Sequence, residues 1–472
     1  MSLAGLATIA VLDVGKSNVK LSACHADGSI AETLATANPV LPGPPWHHHD
    51  LAGLRVWMLD SLAQLCRRHP LVHLICTGHG SGAVLVGDDP DAGGNGATLP
   101  MIDYEQPLPA GIDEAYAPLS GDFFDRGSAI MMASTHVARQ MFWVERDRPA
   151  DMACARWLLG LPQYWAWVLC GVAVSEVTML GAQSHLWNVV AQRWSPIVAA
   201  RGWGRLMPPF AAAHADLGPL RPALALRNGL PQGLRIHAGV HDSSANFYRY
   251  QTAGQSDFAV LSTGTWIVAM ADRVALGSLD EVRGMTCNAD VSGAPLGGAL
   301  TMGGREYAAV AGVQPEGAKA DLPVLARLVA QGSMALPTFG SNDGQFTGSA
   351  GLGRLVGPTP ESAMERHALA VLYSALLAVA CGDTVSQHRR LIVEGSFLRD
   401  PAFAALVAAL RPGAETLVNA EPYGVAAGAA LLCSHGATRR PLELRAPAPL
   451  PGLPDLTHYA AKWRATCQGI PQ

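Results

Sequence analysis

Phe258-Ala259-Val260-Leu261-Ser262-Thr263-Gly264-Thr265-Trp266-Ile267-Val268-Ala269-Met270 reads as a strand, a tight glycine-containing turn and a second strand. Near the start of the chain, Ile9-Ala10-Val11-Leu12-Asp13-Val14-Gly15-Lys16-Ser17-Asn18-Val19-Lys20-Leu21-Ser22 reads the same way. The two align without a gap over Ala-Val-Leu-x-x-Gly, Ala10 matching Ala259 and Gly15 matching Gly264. A chain duplicated in plan is the expectation, each half opening on a like hairpin. A Gly/Ser/Thr turn in each suggests facing loops whose backbone N–H groups hold a polyphosphate, because successive amides form an anion-binding concavity. Glycine lets the backbone come that close. A structural β-turn explains either hairpin taken singly.

What joins them is Gly239-Val240-His241-Asp242-Ser243-Ser244-Ala245, just ahead of the second hairpin. The apolar run Leu234 to Val240 feeds a His-Asp pair set among small residues, so a carboxylate stands at a strand end with little bulk around it. A catalytic base is displayed in this way. A buried Asp capping a helix through Ser243 and Ser244 would use the same residues.

A chain of 472 residues is too long for one core and suits two domains. Hydrophobic content of 49% is ample for burial, while 15% charged residues and a net charge of −5 point to neither a nucleic-acid nor a membrane surface. Substrates should be small and held in a cleft. The nine cysteines (24, 66, 76, 154, 170, 287, 381, 433 and 467) are scattered without Cys-x-x-Cys, which predicts buried thiols in a reducing compartment and no zinc site. The start of the chain lacks a basic segment followed by an apolar run, so no signal peptide is expected. No apolar stretch is expected to reach the roughly 18 residues that span a bilayer.

Asp-x-Gly-x-x-x-x-Lys at Asp13 to Lys20, Gly-x-His-Asp at Gly239 to Asp242 and Leu-Ser-Thr-Gly-Thr-Trp at Leu261 to Trp266 together resemble the FGGY carbohydrate kinases. The resemblance covers nearly the whole chain, and its Ser-Thr-Gly-Thr-Trp version is nearest to the L-fuculose and L-rhamnulose kinases. It implies an α/β fold of two actin-like (ribonuclease H-like) domains with a cleft between them. Residues 1–247 would form an N-terminal domain with the sugar site and base, and 254–438 a C-terminal nucleotide-binding domain, followed by a tail at 439–472. It also implies ATP and Mg²⁺ as cofactors, Asp13 ordering the metal, a small sugar as partner, a cytoplasmic location and room for a homodimer.

Carried onto this sequence, the resemblance makes Asp242 the catalytic base. Gly78, His79, Gly80, Glu176, His241 and Asp242 would meet the sugar. Asp13, Gly15, Lys16, Ser17, Asn18 and Lys20 would serve ATP from the first half. Thr263, Gly264, Thr265, Gly303, Gly304, Gly395 and Ser396 would serve it from the second, Gly303 and Gly304 by opening a helix whose N–H groups face phosphate. Relatives often carry Thr or Ala where Lys16 stands, and Lys16 adds a phosphate countercharge. They usually place an Asp in the Gly78–Gly82 loop, where this chain has His79 and Ser81. They carry Lys where Gln140 stands, and a glycine where Glu394 stands. Asp400 lies near their adenine-facing Asn.

The remaining stretches read more plainly. Three consecutive histidines, His47 to His49, point in different directions and suit a polar loop before a helix at 51–68 better than a metal site. Residues 71–76 read as a strand, 87–121 as an irregular connection and 128–144 as a helix, with Trp143 in core packing. Residues 161–169 form a helix, and the loop after Ser175 continues toward the sugar through Gln183, His185 and Trp187. Further helices are expected at 361–383, 401–410 and 424–431, a strand at 391–396, and a proline-rich surface wrap from Arg439.

Phosphoryl transfer asks mainly for positioning and charge neutralisation, and these residues predict an ATP-dependent kinase acting on the primary hydroxyl of a ketose. Other ketoses and polyols of the xylulose, ribulose or erythritol type stay open. An actin-fold sugar or ATP sensor would need no base at Asp242. A chaperone-type ATPase would continue into a peptide-binding domain, which this chain is not expected to contain.

Overall fold

The computed structural model describes residues 6–342, 344–386, 389–436, 441–453 and 456–468. Two compact units share the chain: the first is built from residues 1–254, 287–295 and 423–441, the second from 255–286, 296–422 and 442–472.

In the first unit, six strands run in the order 216–219, 235–237, 73–78, 9–14, 18–24, 30–37, and Val240–His241 also pairs with His73–Gly78. Ile9–Val14 is antiparallel to Asn18–Cys24 and parallel to His73–Gly78, which in turn is parallel to Val240–His241. Successive residues of a strand point to opposite faces, and both faces here are apolar. Ala10, Leu12, Val14, Leu74 and Cys76 pack with the helices Leu51–Cys66 and Leu161–Cys170. Ile9, Val11, Ile75 and Val240 pack on the other face with residues of Asp242–Thr252 and Gly424–Cys433. By that alternation Asp13 belongs to the second face. A satellite core gathers Trp46, Ile112, Tyr116 and Trp143 around the helix Val137–Asp147.

The second unit repeats the scheme. Phe258–Thr263 is antiparallel to Trp266–Ala271 and parallel to Arg390–Gly395, and Trp266–Ala271 is antiparallel to the strand Pro295–Met302. The gap-free alignment of the two hairpins thus corresponds to the same place in two sheets. The helix Ala363–Ser386 runs through this core. It is long and apolar enough to cross a membrane, against expectation, but 83% of its apolar window is buried inside the protein. Its composition is that of a core helix, apolar all round.

Two expectations change. The helix anticipated over 128–144 begins only at Val137. Arg139 takes the carbonyls of Met131 (2.6 Å), Met132 (3.2 Å) and Ala133, and His136 Nε2 accepts the Met131 N–H at 2.8 Å, so those groups cannot join a helical ladder. Arg439, where a surface wrap was expected to start, lies outside the described residues, but residues 456–468 form a helix. Leu456, Tyr459, Ala460 and Trp463 follow a helical stripe that prolines upstream disguised. Trp463 is 1% exposed and donates to the Ala335 carbonyl at 2.7 Å.

Candidate active site

Three parallel strands end together on one edge of the first sheet: Val14 and His241 both face Gly78 in register. The turn after Val14, the loop after Gly78 and the helix beginning at Asp242 therefore emerge side by side. The carboxyl edge of parallel strands is where open α/β sheets bind ligands.

Asp242 is the first residue of its helix, with its side chain 27% exposed. Its Oδ1 accepts the Ser243 N–H (2.5 Å) and hydroxyl (3.1 Å) and lies 3.2 Å from His241 Nε2. Oδ2 accepts no bond among the described residues, which leaves it open to a ligand's proton. His241 is 6% exposed, and burial holds its imidazole below the ordinary range while the Asp242 charge pulls the other way. The Ser244 hydroxyl donates to the Ala289 carbonyl (3.0 Å), so its 3.1 Å contact with His241 Nδ1 has the ring as donor. In the neutral ring Nε2 is then bare, facing the carboxylate.

Behind His241, its N–H donates to Thr178 Oγ1 (2.9 Å), whose hydroxyl donates to Glu176 Oε2 (2.5 Å). Glu176 was expected to meet the sugar; instead it caps the short helix Val177–Leu180 with both oxygens, accepting from the Thr178 and Met179 amides. Burial pushes its carboxyl up to about 7, against the pull of those bonds. Gln183, His185 and Trp187 are likewise spent inside. His185 bonds Tyr116 (2.8 Å) and Ser128 (3.1 Å), Gln183 donates to Asn288 (2.8 Å), and Trp187 packs on Trp194 and Phe210. Trp143 packs on Trp46 at 5.1 Å, as core.

Gly78, His79 and Gly80 line the same edge. A Cβ on Gly80 would come within 2.5 Å of Ala182 Cβ and 3.3 Å of His241 Nε2, so only glycine lets the loop lie against the histidine. Both ring nitrogens of His79 are buried and have no partner among the described residues, and burial pushes its pKa down to about 3. Gln140 ties this loop through the Ser81 carbonyl at 3.1 Å.

Asp13 pairs in register with Lys20 and Thr77. Burial first, then the charge of Asp242, pushes its carboxyl up to about 7, with Lys20 pulling it down. Lys20 lies 5.4 Å over the Tyr423 ring. The Gly15 N–H was expected to face phosphate, but it closes the turn onto the Asn18 carbonyl at 3.0 Å. The amides of Lys16 and Ser17 carry no bond among the described residues, and Ser17 and Asn18 are exposed. The Lys16 side chain bonds Asp103. Among the described residues no group of three or more His, Cys, Asp or Glu could hold a metal ion, His47 to His49 included.

In the second unit, Gly264 N–H also closes its own turn, onto the Trp266 carbonyl at 2.9 Å. The Gly303 and Gly304 amides, expected to face phosphate, bond Thr265 (3.0 Å) and Gly264 (2.8 Å) carbonyls instead. A Cβ on Gly303 would lie 2.8 Å from the Gly264 oxygen, so these glycines serve close packing. Gly395 sits at φ +96°, where a Cβ would meet the Thr263 oxygen at 2.1 Å, and Ser396 bonds that oxygen at 3.4 Å. Thr263 Oγ1 donates to the Glu394 carbonyl at 2.6 Å. Thr265, Gly395 and Ser396 are exposed, and the Thr265 amide carries no bond among the described residues. Glu394 takes the Ser262 hydroxyl at 2.6 Å. Asp400 is consumed by the Ala402 and Ala320 amides and by His367.

Sequence reading missed Asp103 and Asn38, and gave Thr178 and Ser244 no part in holding His241. Asp103 lay in a stretch dismissed as an irregular connection; its placement among apolar Met101 and Ile102 was the available signal.

Residues 8–247 match the profile of the FGGY family of carbohydrate kinases, N-terminal domain, and residues 255–441 that of carbohydrate kinase FGGY, C-terminal domain. The chain is 27% identical over 293 residues to an L-fuculokinase of Salmonella typhi, a match spanning 60% of each chain. It is similar to the crystal structure of a carbohydrate kinase from Novosphingobium aromaticivorans, with 31% identity, a TM-score of 0.85, and coverage of 98% of this chain and 99% of that one. A ligand-bound xylulose kinase from Lactobacillus acidophilus shares the fold at 14% identity, with a TM-score of 0.78 and coverage of 98% and 96%. The two-domain actin-like (ribonuclease H-like) fold expected from sequence is therefore the fold of this chain.

Proposed function

The chain belongs to the FGGY family of carbohydrate kinases, and from that premise we propose that it is an ATP-dependent kinase of a free ketose of the L-fuculose or L-rhamnulose kind, phosphorylated at the primary 1-hydroxyl. What carries the reading is Asp242, a carboxylate at the strand edge with Oδ2 open, beside a glycine-lined loop. Oδ2 accepts the proton of the attacking hydroxyl as its oxygen bonds to the γ-phosphorus and ADP departs. His241 Nε2, bare and adjacent, shares that proton. Glu176 acts one step back, holding the His241 backbone through Thr178.

The amides of Lys16 and Ser17, which carry no bond among the described residues, serve phosphate oxygens. Mg²⁺ fits Asp13: a carboxyl raised by burial and then by the charge of Asp242 is relieved by a divalent cation, and Mg²⁺ needs few protein oxygens. When bound, the metal neutralises developing phosphate charge. ATP as donor and nine free cysteines agree with a cytoplasmic location.

The L-fuculose or L-rhamnulose assignment is supported by the Trp266-bearing turn and the similarity to an L-fuculokinase. The test is coupled ADP release with L-fuculose, L-rhamnulose, D-xylulose, D-ribulose, L-ribulose and erythritol. One of the first two is expected to give the highest kcat/KM, because a site built to bond a hydroxyl rejects sugars lacking it by up to about 10⁴-fold. A pentulose or tetritol ahead by more than about tenfold overturns the sugar and leaves the kinase; silence with every acceptor overturns both.

A further inference from the structure

Lys16 stands in the turn expected to face phosphate, yet its ammonium bonds Asp103, lies 3.8 Å from Glu105 and sits 5.0 Å over the Tyr104 ring. We propose that Lys16 and Asp103 form a charged pair that binds hydroxyls of the acceptor sugar and sets its specificity, rather than holding nucleotide; this rests on the sugar-kinase reading above.

The pair is incompletely satisfied in a way that a hydroxyl would complete. Asp103 is 4% exposed, and its partners among the described residues all fall on Oδ1, which takes Lys16 and the Glu105 amide at 3.3 Å. Oδ2 accepts nothing among the described residues. An ammonium has three donors, and Asp103 occupies one of them.

Beside the pair stands His49, 2% exposed, whose Nε2 is buried with no hydrogen-bond partner among the described residues, 3.8 Å from Asp103 Oδ1. Asn38 gives its amide N–H to the Gly15 carbonyl (2.8 Å), so its oxygen receives His49 Nδ1–H at 3.1 Å. The second nitrogen of the neutral ring is then an acceptor. His79, with neither nitrogen bonded among the described residues, has its ring 6.0 Å from that of His49 and 5.4 Å from Tyr104. Buried polar atoms in native proteins are nearly always bonded, and such a cluster asks for a ligand.

The cluster continues the wall that holds the base. His79 adjoins Gly80, whose added Cβ would touch His241 Nε2, and His241 touches Asp242. A sugar whose primary hydroxyl meets Asp242 thus has His79, Tyr104, Lys16 and Asp103 along the same loop edge.

Charge decides the class of acceptor. Burial holds His49 near 4 and His79 near 3, so both are neutral at pH 7. Lys16 faces two carboxylates, Asp103 and Glu105. An anionic acceptor such as an aldonate would meet net negative charge. A neutral ketose or polyol finds one cationic donor and several acceptors.

The test uses the full chain and the acceptor of highest kcat/KM among the six named above. Asp103→Asn and Lys16→Gln are each expected to raise the acceptor KM at least about tenfold, with the KM for ATP and the calorimetric affinity for AMP-PNP within about twofold of wild type. Breaking a buried pair can unfold a protein, so the double variant, which keeps shape and removes both charges, is measured alongside and should show the same KM pattern. A fall in AMP-PNP affinity of about tenfold in Lys16→Gln, with the acceptor KM unmoved, would return Lys16 to phosphate and overturn the proposal. An unmoved acceptor KM in Asp103→Asn or in the folded double variant overturns it as well. Wild-type silence with all six acceptors removes the sugar-kinase reading and this proposal with it, whereas an active wild type with unmoved variants removes the proposal alone.

Discussion

His241 Nε2 lies 3.2 Å from Asp242 Oδ1, and the Ser244 to Ala289 bond fixes the proton of the ring on its far nitrogen. Two proton acceptors face each other at the strand edge, with room for the one proton that phosphoryl transfer releases. Asp242→Asn should therefore lower kcat by about 10²-fold or more, the usual scale of a lost general base, with nucleotide affinity unchanged. Steady-state ADP release and AMP-PNP calorimetry check this. A rate near wild type would put the base elsewhere.

Acid should weaken the fold early. Burial holds His49 near 4, His79 and His136 near 3, and His185 well below its ordinary value. Unfolded histidines take a proton near pH 6.5, so below that pH the unfolded chain gains protons that the native one refuses. Asp13 and Glu176, both pushed up to about 7, act oppositely, since the native state already holds their protons there. His73, His214 and His241 are also held below their ordinary range, so the histidines outnumber the two carboxyls, the unfolded state takes up more protons than the native one, and stability falls between pH 6 and 5. Urea unfolding at pH 8, 7, 6 and 5 measures the slope; stability flat across that range would contradict it.

Gly428→Ala should destabilise the first unit. A Cβ there would lie 1.8 Å from the Ala245 oxygen and 2.5 Å from its carbon, both backbone atoms that cannot step aside. Alanine favours a helix by about 1 kcal/mol over glycine, but overpacking costs about 1–3 kcal/mol or more. A lowered Tm is expected, and an unchanged or raised one would mean that the two helices separate freely.

The paired hairpins were legible because each is local: alternating apolar residues, a glycine turn and a second strand within about fifteen residues. The position of Asp242 at a strand end was legible for the same reason, standing where an apolar run meets small residues. Lys16 was read by its position in the turn, while its partner Asp103 lies 87 residues away and carries no local mark of the pairing. Glycines drew the reading toward phosphate at Gly15, Gly264, Gly303 and Gly304, whereas their amides close the turns and it is the neighbours that stay open. Glu176 showed only its residue type. That both oxygens cap its own helix depends on backbone geometry beyond Thr178.

The helix Gly424–Cys433 covers Ile9, Val11, Ile75 and Val240 in the first unit, although it is encoded after nearly all of the second. A ribosome delivers the central strands first and their cover almost last. Until Gly424 has left the exit tunnel, that face of the nascent sheet has only the helix Asp242–Thr252 to cover it, and the uncovered remainder is a target for holdase chaperones and for neighbouring nascent chains. The gene therefore cannot be cut between its two family domains to give a self-sufficient N-terminal fragment, and any split version must carry the late helix along.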